Sequence, residues 1–426
     1  MEIALIGLLL LALAFFGTPL FIIIGVIALL SFHAQGIDSS AIIIETYRLA
    51  NAPALLAIPL FTFGGYVLSE SRAPKRLVNL SRAFFGWMPG GLAVVSLVSC
   101  AIFTAFTGAS GVTIIALGGL LLPSLLAEQY PEKFSLGLLT ASGNLGLLFP
   151  PSLPIILYGL VAQISIDKLF LAGILPGMLM VVLLMFYSIF VGKKMKVPQT
   201  PFAWKNVAAS LRETAWEIPL PFLVLGGIYG GFVTVTEAAA LMAVYAIVVE
   251  VFIYRELSLF RDIPRIMRES MLLVGGILII LGTALGLTNY LIDAQIPMKI
   301  LAFMKQYVHS KIWFLVMLNL FLLVVGVMID IFSAIIVVVP LIVPVAMNFG
   351  IDPVHLGVIF LANLGIGYST PPVGMNLFIA SFRFKKPVAE LYMAALPFLL
   401  ILLISLVIIT YVPDLSLVLL RIFGKG

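Results

Sequence analysis

Two kinds of polar cluster interrupt the apolar sequence of this chain, and each occurs twice. Residues 107–111 (TGASG) form the first break, and residues 144–151 (NLGLLFPP) close the next apolar stretch. Further along, 330–334 (DIFSA) is followed by 363–372 (NLGIGYSTPP). Glycines, small hydroxyls, amides and paired prolines stand where a continuous membrane helix would carry Leu and Ile. Their hydroxyl, amide and carbonyl oxygens are hard donors suited to Na+. Helices that begin after such breaks turn N–H groups and a positive dipole end toward an anion. One site built from all four breaks could hold a cation and a carboxylate together. Interrupted apolar segments at corresponding places in two halves mark the binding site of a secondary transporter.

Among titratable groups, Asp330 alone is an acid deep in an apolar segment. An intramembrane carboxylate is a functional candidate by default, here as cation ligand or proton carrier. Asn144 and Asn363 carry buried amides that need partners. Glu237 follows Thr234 at a helix start, where capping is at least as good a reading as substrate contact. His33, His309 and His355 fall near the ends of expected spans and read as interfacial. Glu250 also lies near an end and is given no chemistry.

These residues need elements to position them, and the composition says which kind. Of 426 residues, 62% are apolar and 10% charged, with mean hydropathy +1.21. A soluble domain carries about 25% charged residues. The chain is therefore expected to be an all-α polytopic membrane protein embedded in the lipid bilayer. The net charge of +5 comes from Lys and Arg in short loops, which signals membrane orientation and not nucleic-acid binding. Cys100 is the single cysteine, which excludes an internal disulfide and a multi-cysteine metal site. Met1-Glu2 runs straight into apolar sequence, so no removed signal peptide is expected.

Expected elements follow in order. Residues 3–32 are apolar with a break at Gly17-Thr18-Pro19, and 41–69 follow. Arg72, Lys75, Arg76 and Arg82 alternate with Leu77, Leu80, Phe84 and Phe85 as in an amphipathic helix on the cytoplasmic interface. A re-entrant hairpin over 90–127 turns at 107–111, 133–164 is a broken span, and 169–191 cross back. Residues 198–217 form a second surface helix that links the halves. The plan then repeats: spans 218–231, 235–254 and 266–292, an amphipathic stretch 297–309, a hairpin 312–347 with Asp330 at its tip, a broken span 353–382, and a last span 388–411. If 3–16 and 18–32 cross separately, both halves have equal, odd numbers of crossings and must be inverted relative to each other. Every basic loop then falls on the cytoplasmic side. That arrangement is preferred over one long kinked helix, although both spans are shorter than the usual ~17–25 residues.

The motifs 57–61 (AIPLF), 106–113 (FTGASGVT), 146–152 (GLLFPPS), 226–231 (GGIYGG), 236–240 (TEAAA) and 370–378 (TPPVGMNLF) together resemble the large membrane subunit of tripartite ATP-independent periplasmic (TRAP) transporters. Two positions depart from the family pattern, Val235 where Pro is usual and Ala109 where a second Ser is common. The resemblance implies a Na+-driven importer of a small organic anion, such as a carboxylate or acid sugar, in a bacterial inner membrane. It implies two partners, a small four-helix membrane subunit and a periplasmic substrate-binding protein. It also implies an elevator carrier with scaffold regions 1–88 and 192–311 and transport regions 89–191 and 312–426, joined by the amphipathic arms. By position on the motifs, Thr107, Gly108, Ser110, Asn144 and Gly146 would serve one Na+ site, and Asp330, Ser333, Asn363, Gly365 and Thr370 another. Ser110, Pro150, Pro151, Ser152, Thr370, Pro371, Gly374 and Asn376 would face or support the anion.

The nearest competing reading is a stand-alone Na+-coupled dicarboxylate symporter or a Na+/H+ antiporter. An intramembrane enzyme is disfavoured because no His-Glu-x-x-His, no Gly-x-Ser-x-Gly and no close carboxylate pair occurs in the apolar spans. A channel would not need two inverted broken hairpins.

Overall fold

A computed structural model describes residues 18–36, 38, 40, 43–44, 47, 53–195, 197, 201–308 and 310–424. All regular elements among these residues are helical, and seven helices are long and apolar enough to cross a bilayer. Helix is what lipid demands, because each backbone N–H and C=O must find its partner within the segment. The first described helix, Leu20–Ala34, starts directly after an extended Pro19. The question of one or two spans over 3–32 turns on residues outside the described ones.

Both expected hairpins are present. The first consists of Gly91–Thr107 and Ser110–Ala127, separated by Gly108 and Ala109. Gly108 has φ +66°, and a Cβ there would lie 2.6 Å from Leu153 Cβ. Only glycine meets both conditions, so the turn and the close approach are set by the same residue. The second hairpin consists of Lys311–Met328 and Ile331–Asn348, turning at Ile329 and Asp330. The broken helices also fall where expected. Glu132–Ser142 gives way to a short 3-10 turn, Leu145–Leu148, and restarts as Leu153–Ala162 with a 45° bend. Pro353–Gly367 gives way to Met375–Phe384. The Pro150–Pro151 and Pro371–Pro372 bonds are both cis.

The two halves interlock through these pieces. The restarted limb Leu153–Ala162 packs on Ile331–Asn348 of the other half's hairpin. In return, Met375–Phe384 packs on a π-helical turn, Ile114–Gly118, in the first hairpin. The first limbs also pack across halves, with Glu132–Ser142 against Val388–Tyr411. That contact is close enough that a Cβ at Gly137 would lie 2.0 Å from the Ala394 carbonyl oxygen. Around this body, Ala57–Glu70 lies along Val235–Ile253, and Leu20–Ala34 along the 32-residue helix Asp262–Asp293. Thr234 and Glu237 form a reciprocal capping box at the start of Val235–Ile253, the capping reading of Glu237.

The amphipathic helices are Ala73–Phe85, Trp204–Glu213 and Ile296–Tyr307. Arg76, expected among interfacial charges, is instead buried at 3% exposure. Its guanidinium binds Glu217, Glu250 at 2.9 Å and Glu256 at 2.6 Å, and lies 3.9 Å from the centre of the Tyr254 ring. Glu250 is thus one partner of a buried ion cluster. Burial pushes the Glu217 carboxyl above its ordinary range, against the pull of Arg76. His355 also departs from expectation. It is buried, with its ring nitrogens 3.2 Å from Ser416 Oγ and 3.3 Å from the Thr410 carbonyl oxygen. Ser416 belongs to Asp414–Ile422, a terminal helix that the apolar pattern did not announce. His33 is exposed, and His309 lies outside the described residues.

Candidate substrate and cation site

Ser110 opens the second limb of the first hairpin, Asn144 stands where the first broken helix stops, and Ser369 and Asn376 flank the second break. Four side chains from these three places make one hydrogen-bonded chain. Ser110 Oγ donates to Asn376 Oδ1 at 2.9 Å, Asn376 Nδ2 donates to Asn144 Oδ1 at 2.8 Å, and Asn144 Nδ2 donates to Ser369 Oγ at 2.8 Å. All four side chains are buried. Each amide therefore meets the requirement of a buried polar group by pairing across the halves. Sequence reasoning placed Ser110, Asn144 and Asn376 here but missed Ser369. Its neighbours Thr370 and Pro371 carried the motif, and nothing in its own spacing set it apart.

Beside this chain lies a cavity of about 280 Å³. Gly108, Ser110 and Gly111 of the first hairpin, Ile331 and Phe332 of the second, and Tyr368 and Met375 of the second broken helix line it. Tyr66 of Ala57–Glu70 and Leu273 of Asp262–Asp293 close it from the surrounding helices. Both tips and the second break thus face one space.

Asp330 caps its own helix, with Oδ1 accepting from Phe332 N at 3.1 Å and Ser333 N at 2.9 Å. It is half-buried, and Tyr368 reaches the same turn through its hydroxyl, which accepts from Ile331 N. Ser333 is buried in that turn. Thr107 and Thr370 bond back to the carbonyls of Phe103 and Ile366, four residues earlier in their own helices. Gly374 caps Met375–Phe384, where a Cβ would lie 2.6 Å from the Tyr368 carbonyl oxygen. A Cβ at Gly146 would lie 2.3 Å from the Ala101 carbonyl oxygen, so the first break presses on the first hairpin. Pro150 lines a separate apolar cavity with Phe149 and Met178, and Pro151 is buried. Pro371 is half-buried.

Asn363 is not brought to the chain around Asn144. Its Nδ2 donates to Asn319 Oδ1 at 2.7 Å and to the Ile359 carbonyl, while its own Oδ1 is buried without a partner among the described residues. Gly365 faces Asn144 instead, with its would-be Cβ 3.7 Å from Asn144 Cβ. Ser152 Oγ is likewise buried without a partner, at the start of Leu153–Ala162. Each broken helix therefore carries one uncommitted buried oxygen. Among the described residues, no group of three or more His, Cys, Asp or Glu side chains could hold a metal ion. A cation here would rest on carbonyl, hydroxyl and amide oxygens, the donor set that a weakly held alkali ion uses.

Comparison with known proteins agrees with this architecture. The chain is 36% identical over 396 residues to the C4-dicarboxylate TRAP transporter large permease protein DctM of Pseudomonas aeruginosa, covering 93% of this chain and 92% of that one. It is 36% identical over 406 residues to the isethionate TRAP transporter permease protein DctMQ of Oleidesulfovibrio alaskensis, covering 93% of this chain and 63% of that one. The fold is similar to the crystal structure of the Alcanivorax borkumensis YdaH transporter, with TM-score 0.62 at 15% identity, covering 90% of this chain and 88% of that one. The family model described as the tripartite ATP-independent periplasmic transporter, DctM component, matches residues 6–415. The chain belongs to that family, as a multi-pass transport protein of the inner membrane and not an enzyme.

Proposed function

We propose that this chain is the carrier subunit of a Na+-coupled symporter that imports a small organic anion handed over by a periplasmic binding protein. The observation that carries the reading is the buried chain Ser110–Asn376–Asn144–Ser369 beside a cavity lined by both hairpin tips. Such a chain couples the two halves at the place where substrate and cation would sit. The unpartnered oxygens of Ser152 and Asn363 are the first candidates to complete a Na+ shell, with Asp330 Oδ2 available at the second tip. Cation binding would raise anion affinity because each charge offsets the desolvation of the other. The relatives named above carry C4-dicarboxylate and isethionate in their names, both small organic anions.

Residues 89–191 and 312–426 would move together as the transport body. Residues 1–88 and 192–311 would hold it as scaffold, with the amphipathic helices as arms. The cross-packing of the restarted limbs supports a single moving body, since each hairpin packs against the other half's limb. A small four-helix membrane subunit would complete the assembly. The chain covers 63% of the protein named DctMQ, which leaves room there for a second membrane component.

Proteoliposome uptake tests the reading. Accumulation of labelled anion should require an inward Na+ gradient, the small subunit and the binding protein together. Uptake of free anion without a binding protein would refute the tripartite assignment, and equal uptake in K+ would refute Na+ coupling.

A further inference from the structure

A cleft of about 220 Å³ lies between the arm helix Ala73–Phe85 and the linker helix Trp204–Glu213, on the face that the basic loops assign to the cytoplasm. Both helices are amphipathic, as helices that lie in a membrane interface are. The rim of the cleft is aromatic. Phe84, Trp87, Phe202 and Trp204 are exposed, and Phe202 packs edge-to-face on Trp204 with ring centres 5.1 Å apart. Trp87 and Phe202 line the cleft itself. The Trp87 indole N–H already donates to the Phe84 carbonyl at 2.8 Å, so its ring is left to offer apolar surface. Exposed aromatic rings on such helices sit at the level of the lipid headgroups.

Two charged residues of opposite sign line the cleft, Arg82 from the arm and Glu213 from the linker helix. Glu213 Oε2 accepts from Asn79 Nδ2 at 3.4 Å. Asn79 is one helical turn from Arg82, about 5–6 Å between Cβ atoms. Cation and carboxylate thus stand about a turn apart across one small space. Among the described residues they form no ion pair with each other. The carboxylate that Arg82 does meet is Glu128, at 3.5 Å, just past the end of the first hairpin. Asn206 and Ser210 add uncharged polar groups to the wall.

We propose that this cleft binds the headgroup of a zwitterionic, amine-bearing phospholipid of the phosphatidylethanolamine class. Arg82 takes the phosphate, whose oxygens match the forked donors of a guanidinium. Its five N–H groups are enough to keep Glu128 as well. Glu213 takes the ammonium, and the acyl chains leave over Trp87 and Phe202. An anionic headgroup without an amine would satisfy Arg82 but meet Glu213 as a like charge. A trimethylated amine has no N–H to give Glu213. The bound lipid joins the arm, the linker helix and, through the Arg82–Glu128 pair, the end of the first hairpin.

Thermal unfolding of the purified full-length chain, in detergent micelles doped with one dioleoyl lipid at a time, tests this. Phosphatidylethanolamine should raise Tm with a midpoint about fivefold lower than phosphatidylglycerol or phosphatidylcholine, as one charge-assisted hydrogen bond would give. Arg82→Gln should weaken the response to all three lipids. Glu213→Gln should fold normally, because the side chain is exposed, and lose the preference for ethanolamine. Glu213→Lys should turn the preference toward phosphatidylglycerol. Arg268→Gln, which removes an exposed charge from Asp262–Asp293, should leave the response unchanged. Equal midpoints for the three lipids overturn the proposal, as does an ethanolamine preference that survives Glu213→Gln. An equal loss in Arg268→Gln would mark general surface attraction and overturns it too. Stabilisation by water-soluble glycerophosphoethanolamine at the same midpoint would put a soluble phosphoester in place of the lipid, and equally overturns it.

Discussion

Asn376 donates its side-chain amide to Asn144 Oδ1 at 2.8 Å, joining two residues 232 positions apart. Both side-chain amides take their partners from the other half. Each is the other's partner at the point where a helix has stopped or restarted. The bond therefore ties the order of one break to the order of the other.

Removing one member strands the other. Asn144→Ala and Asn376→Ala should each cost about 1–3 kcal/mol, since a buried amide loses its partner. Their effects should be non-additive, with a coupling of about 0.5–3 kcal/mol in a double-mutant cycle of unfolding. Strict additivity would show that the bond is not formed in the protein in solution.

Asp330 has two roles to separate, cap and cation ligand. Asn caps a helix about as well as Asp. Asp330→Asn should therefore leave Tm nearly unchanged while abolishing Na+-dependent uptake. Asp330→Ala should lose the cap as well, at roughly 0.5–2 kcal/mol. Uptake with unaltered Na+ dependence in Asp330→Asn would remove the carboxylate from the coupling site.

Gly108 bears the turn of the first hairpin at positive φ and in contact with Leu153. Gly108→Ala should reduce membrane abundance and thermal stability sharply, because the new methyl cannot be accommodated without moving the restarted limb. Gly226, which has nothing within 4 Å of a would-be Cβ, provides the control. Gly226→Ala should be neutral by the same measurements.

The Arg76 cluster makes a prediction about stability and pH. Arg76→Ala leaves three carboxylates facing one another and should destabilise by about 3–5 kcal/mol. Glu217 is different, because its folded-state pKa is raised by burial. A raised pKa favours the folded state below the unfolded value, and that contribution is lost as pH rises through the folded value. Glu217→Gln should flatten the decline of Tm with pH from about 4.5 upward. A steeper decline in that variant would reverse the sign assigned to Glu217.

Backbone-level features of this protein were legible in its sequence, because the residues that break a helix are few and say so themselves. Gly108, Asp330 and both proline pairs announced where the helices stop. Side-chain pairing was less legible. Asn144 and Asn363 begin similar motifs, yet Asn144 stands six residues before its proline pair and Asn363 eight. Two residues turn a helix by about 200°, so Asn363 points to Asn319 while Gly365 takes the position facing Asn144. Arg76 looked interfacial because its carboxylate partners lie 141, 174 and 180 residues away, beyond any local pattern. His355 was misread for the same reason, its partner Ser416 lying in a helix too short and mixed to stand out.

The exchange of restarted limbs between halves bears on how such a protein could have arisen. Leu153–Ala162 finds its packing surface on the second hairpin, and Met375–Phe384 finds its own on the first. A chain of half this length would expose one apolar limb and an empty hairpin face, each the complement of what a second copy offers. Such a half would be unfinished alone and complete as a pair. Duplication and fusion would then have preserved an existing interface within one polypeptide. Ala109 and Asp330, the residues before the second limb of each hairpin, would then be free to differ.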